Sequence, residues 1–139
     1  PWDRFVSAYH YLKEKPISDD DKRFAAETLS GFDTFQQFAA AMSDSSFRAK
    51  IMMWRHFTPQ WYFVTDRSGH VAVTELARFE GFGENIQKIA ARFGKEVEPA
   101  RENIVKRKKY TDFFDPGSRS LIGELYKEDI ELFNYSYGE

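Results

Sequence analysis

The sequence predicts a mostly helical domain with one β-hairpin, and three observations carry that reading. Apolar residues recur at helical spacing through most of the 139 residues. That spacing changes after Pro59, where bulky strand formers cluster on either side of Asp66-Arg67-Ser68-Gly69. Helix punctuation falls where the periodic runs begin or end, at Pro16, Gly31, Gly94 and Pro116. A hydrophobic content of 42%, with 17% aromatic residues and 14 Phe, suffices for a single core, so residues 1–139 are read as one domain.

The elements follow in order. From Pro1 to about Lys13, Trp2, Phe5, Val6, Tyr9 and Leu12 share one helical face, while Asp3, Arg4, Ser7 and Tyr11 share the opposite flank. Proline suits a helix's first turn, and Pro16 ends this one. Asp19, Asp20 and Asp21 give a second helix an acidic start suited to its dipole, and the run through Phe24, Ala25 and Leu29 closes at Gly31. Asp33 or Thr34 caps a third helix through Phe35, Phe38, Ala39 and Met42, and a fourth runs from Phe47 to Trp54. Trp61 to Val64 and Val71 to Val73 form the hairpin, with an Arg78–Glu80 ion pair expected at its exit. From Gly81 to Phe93, residues Phe82, Ile86, Ile89, Ala90 and Phe93 make one stripe, with Gly94 at the C-cap. Residues 96–115 read as a basic loop held down by aromatics. Pro116 then opens a last helix whose stripe runs through Leu121, Ile122, Leu125, Tyr126, Ile130 and Phe133.

Composition narrows the chemistry. A formal charge of -2 with 30% charged residues calls for neither nucleic acid nor a membrane surface as partner. The absence of cysteine removes disulfides and thiolate chemistry and is read as a reducing, cytoplasmic setting. No apolar run approaches the roughly 20 residues that span a bilayer. Of the three histidines, His10 and His70 read as surface positions, and no spacing of His with carboxylates suggests a metal site. His56 is the candidate proton acceptor, because an imidazole titrates near neutrality.

Four blocks point further. They are Pro1-Trp2-Asp3-Arg4-Phe5-Val6-Ser7-Ala8-Tyr9; His56-Phe57-Thr58-Pro59-Gln60; Arg78-Phe79-Glu80 with the helix that follows it; and the stretch from Asn103 through Lys106, Arg107 and Tyr110 to Tyr126, Asp129, Leu132 and Phe133. In this order they resemble the phosphoadenosine-phosphosulfate-dependent sulfotransferases of bacterial and carbohydrate type.

The resemblance implies an α/β, P-loop-NTPase-like fold of which this chain is the mostly helical C-terminal part. It implies transfer of a sulfuryl group from 3'-phosphoadenosine-5'-phosphosulfate to an acceptor hydroxyl or amine, leaving 3'-phosphoadenosine-5'-phosphate, with a small molecule or carbohydrate as acceptor and no metal. Ser7 matches the family's 3'-phosphate-binding serine, and Arg4 belongs to the same motif. Lys106, Arg107, Lys109 and Tyr110 fall where the family closes a basic loop over the nucleotide, and His56 is the catalytic candidate. The motif's Arg, eight positions before its Ser, falls ahead of Pro1, and no Gly-rich phosphate loop is present. The chain is therefore expected to need the N-terminal half of the same fold and to be inactive alone. The competing expectation is a non-catalytic helical interaction module on the same scaffold.

Overall fold

A computed structural model describes residues 1–98 and 108–139. The chain divides into two compact units, Pro1–Phe63 with Lys108–Glu139, and Val64–Arg107.

The first unit is helical. Helix α1, Trp2–Glu14, buries Trp2, Phe5, Val6, Ala8, Tyr9 and Leu12, the face its periodicity marks. Pro1 stands one residue ahead of the helix, as its N-cap. Helix α2, Asp19–Thr28, starts at Ser18, whose hydroxyl accepts the Asp21 amide. Helix α3, Phe35–Ala41, starts with a capping box in which Thr34 and Gln37 satisfy each other's amides. Helix α4, Ser45–Met52, is capped by Asp44 and begins two residues before its predicted start. A turn through Trp54–Thr58 carries the chain away from it, with the Thr58 hydroxyl donating to the carbonyls of Met52 and Trp54, both at 3.2 Å.

The core these helices enclose is aromatic. Phe38 stacks on Phe5 at 5.4 Å and on Tyr9 at 5.0 Å, and Phe57 packs against Phe5 at 5.2 Å. Each such pair adds about 0.5–1.5 kcal/mol beyond area burial, so the high Phe content serves the core directly. Ile122 and Tyr126, both fully buried, close the cluster from the C-terminal segment. Tyr110, Phe113 and Phe114 are partly buried against it.

Three expectations need correction. The strand predicted at Trp61 to Val64 is a 3-10 helix over Gln60–Phe63. Its cause lies 68 residues away: the buried Asp129 carboxylate accepts the amides of Gln60 at 2.8 Å and Trp61 at 2.7 Å, so these donors turn inward rather than into a ladder. The last helix is two helices, α6 Pro116–Leu125 and α7 Lys127–Phe133. They are broken at Tyr126, whose φ and ψ of -116° and 26° leave the helical region. The Tyr126 ring is fully buried and its hydroxyl donates to the Phe57 carbonyl at 2.5 Å, and that fixed anchor accompanies the break.

In the second unit the hairpin shrinks to one antiparallel bridge, Thr65 to Val71, across a turn in which Asp66 accepts the amides of Ser68 and His70. Gly69 takes φ +82°, which favours glycine. The third correction is here. The apolar stripe of α5, Phe82–Arg92, buries only Ala90 fully, and Phe82 and Phe93 are exposed. The Arg78–Glu80 pair forms as expected, at 3.6 Å. Among the described residues there is no sheet.

Candidate active site

Ser7 lies exposed halfway along α1. Helical spacing makes Asp3, Arg4, His10 and Tyr11 its neighbours, so its hydroxyl sits between two differently furnished flanks. On one, the His10 ring is occupied: Nδ1 lies 2.8 Å from Glu14 Oε1 and the ring meets Phe113 edge-on at 5.1 Å. On the other flank, Arg4 and Tyr11 both face the turn that carries Arg55 and His56.

Arg4 donates from Nη2 to the Arg55 carbonyl at 3.3 Å. Its Nη1 is buried without a hydrogen-bond partner. The guanidinium also lies close enough to the Tyr126 phenol to oppose, in part, the upward push that burial exerts on that phenol's pKa. Arg4 thus reads first as a clamp on the turn.

Two turns further along, the Tyr11 hydroxyl accepts the Ile17 amide at 3.0 Å and donates to Asp21 Oδ2 at 3.1 Å. Asp21 is the hub of this flank. It is 2% exposed, yet both of its oxygens are engaged. Oδ2 takes the Ser18 hydroxyl at 2.8 Å and Arg55 Nη2 at 2.8 Å, and Oδ1 faces His56 Nε2 at 3.0 Å. Burial works against ionisation here. The hydrogen bonds from Ser18, Arg55 and His56 outweigh it and hold the carboxyl well below the usual carboxylate range. Arg55 Nη2 also donates to the Ser18 hydroxyl at 2.8 Å, which ties the guanidinium to the α2 cap as well as to the carboxylate.

His56, 30% exposed at its side chain, is therefore held on one edge and open on the other. Its ring packs against Tyr11 at 4.9 Å. With Nε2 on a carboxylate, Nδ1 has no partner among the described residues.

The remaining candidates lie elsewhere in the same unit or outside the description. Lys109 is exposed, at the lead-in to the 3-10 turn Tyr110–Phe113. The Tyr110 hydroxyl accepts the Gly138 amide at 2.5 Å and its ring meets Tyr137 at 5.5 Å, so this phenol is committed to the C-terminal turn. Lys106 and Arg107 lie outside the described residues. Among those described, no group of His, Asp and Glu could hold a metal ion, and no helix is long and apolar enough to cross a membrane.

Comparison with known families matches residues 1–136, nearly the whole chain, to the sulfotransferase family. The chain is a member of that family. Comparison with curated proteins and with solved structures gave no match. The resemblance read from the four blocks is thereby shown. In this sulfotransferase Ser7 lies on the exposed face of α1.

What sequence reasoning missed in this sulfotransferase is the hub. Asp21 reads as one of three helix-start acids, and only the Ser18-x-x-Asp21 spacing, an N-cap followed three residues on by a carboxylate, sets it apart. Arg55 carried no signal beyond its place beside His56.

Proposed function

We propose that this sulfotransferase moves a sulfuryl group from 3'-phosphoadenosine-5'-phosphosulfate to a hydroxyl or amine of a small-molecule or carbohydrate acceptor. In this reading the residues form the C-terminal part of a P-loop-NTPase-like fold. The observation that carries it is Ser7 on the exposed face of α1, in a chain matched to the family over residues 1–136.

The chemistry suits these residue types. Sulfuryl transfer resembles phosphoryl transfer in asking the protein mainly to position an in-line nucleophile and to hold a charged nucleotide. Ser7 would donate to the nucleotide's 3'-phosphate, with Lys106, Arg107 and Lys109 supplying positive charge and Tyr110 shaping the loop's end. Hydrogen bonds to an ionised phosphate are the stronger kind, so this subsite would dominate nucleotide affinity. Arg4 would act mainly by holding the turn that carries His56, and His56 would take the acceptor's proton.

A second reading, a non-catalytic helical interaction module, draws on the exposed Phe79 and Phe93 of the second unit. Calorimetric titration separates the two. The sulfotransferase reading expects 3'-phosphoadenosine-5'-phosphate to bind more tightly than adenosine-5'-phosphate, with the preference lost in Ser7→Ala. Equal or absent binding of the two nucleotides, in this chain and in one extended N-terminally through the motif Arg, would leave the interaction module standing.

A further inference from the structure

We propose that Asp21 fixes the His56 ring so that Nδ1 faces outward as the proton acceptor for the incoming nucleophile, an inference that rests on the sulfuryl-transfer reading. Three observations carry it.

The first is the bond itself. Asp21 Oδ1 lies 3.0 Å from His56 Nε2, and an ionised carboxylate can only accept, so Nε2 holds the hydrogen. In the neutral ring the lone pair is then on Nδ1. The second is rigidity. The ring is set by Tyr11 at 4.9 Å, while Asp21 is set by the hydroxyls of Tyr11 and Ser18 and by Arg55, so neither partner can turn alone. The third is access. Among the described residues Nδ1 has no hydrogen-bond partner, and it is not one of the buried polar atoms that lack one.

The charges around the ring fit the role. The ring contacts Tyr11 from α1 and Asp21 from α2, and that carboxylate is shared with the Ser18 cap and with Arg55 of the ring's own turn, where Arg4 holds the backbone. An unshared carboxylate would favour the imidazolium, which cannot accept a proton. Here the carboxylate is shared, with Arg55 on Oδ2 at 2.8 Å and the ring on Oδ1 at 3.0 Å. In the step itself, the acceptor's oxygen or nitrogen attacks sulfur and the bond from sulfur to the 5'-phosphate oxygen breaks. The bonding pair stays on that oxygen as 3'-phosphoadenosine-5'-phosphate forms, and the acceptor's proton passes to Nδ1.

The test is nitrogen-15 NMR of the histidine rings in the full chain. The native protein should show His56 as the Nε2–H tautomer. In Asp21→Asn, Ser18 and Arg55 still donate to the inner oxygen, so the amide nitrogen takes the place of Oδ1 and turns a donor toward the ring. The tautomer should invert to Nδ1–H, as it does when the triad aspartate of a serine protease becomes asparagine. A second measurement on the native protein alone, carbethoxylation followed by mass spectrometry, should place a label on His56. A native Nδ1–H tautomer, an uninverted tautomer in a folded Asp21→Asn variant, or an inert His56 would each overturn the inference. Nucleotide titration of the same samples keeps the two ideas apart, because failure to prefer the 3'-phosphorylated nucleotide defeats the sulfotransferase reading whatever the tautomer.

Discussion

Asp129 of α7 accepts the backbone amide of Trp61 at 2.7 Å and, with its other oxygen, that of Gln60 at 2.8 Å. One buried carboxylate therefore replaces a strand neighbour for two consecutive donors. Asp129→Ala would orphan both amides, at about 1–3 kcal/mol each. Asp129→Asn keeps one acceptor and should lose about half as much. Urea unfolding of the two variants checks the order, and equal midpoints would show that the carboxylate does not hold this turn.

The Tyr126 hydroxyl is the companion anchor, donating to the Phe57 carbonyl at 2.5 Å. Burial pushes the phenol well above its ordinary range, with Arg4 opposing, so it stays a donor at every pH the protein meets. Tyr126→Phe leaves the carbonyl unpaired and should cost about 1–3 kcal/mol. Thermal unfolding would show it as a lowered midpoint; an unchanged one would mean that water or another donor replaces the hydroxyl.

Stability should fall in acid through Asp21. Its folded pKa lies below the unfolded value of about 3.9, so its contribution is fully present above that value and is lost as pH falls toward the folded pKa. Asp115 is depressed in the same direction, chiefly by the Ser118 amide, so Asp21→Asn should flatten the acid limb without abolishing it. Unfolding midpoints between pH 2 and pH 5, compared for native and variant, decide the matter; parallel curves would remove Asp21 from the account.

Ser7→Ala should weaken binding of 3'-phosphoadenosine-5'-phosphate by about 1.5–3 kcal/mol, the scale of a hydrogen bond to a charged group. It should leave adenosine-5'-phosphate unaffected and cost little stability, since Ser7 lies on the exposed face of α1. Calorimetry on the form that binds nucleotide reads the first effect and a melting curve the second.

Local signals carried the fold as far as local forces decide it. The buried face of α1, a cap at Asp33 or Thr34 and the helix start at Pro116 were legible because each needs residues only three or four positions apart. The 3-10 turn at Gln60–Phe63 was not, because Trp61 to Val64 has strand-forming side chains and the deciding group is Asp129. The break at Tyr126 was hidden too, since no Gly or Pro marks it and the apolar stripe runs on through Ile130. At the site, His56 and Ser7 could be nominated from their motifs. Asp21 could not, because its partners come from positions 11, 18, 55 and 56, which only the folded chain brings together.

Trp54 lies flat on Phe24 at 4.2 Å and 7°, with the Arg55 guanidinium 5.4 Å from its own ring. An indole in contact with both an α2 side chain and the cation that grips Asp21 is an optical gauge already wired into that carboxylate. Its emission should respond when the hub loosens, letting ligand binding or acid release be followed in the native chain without attaching a dye.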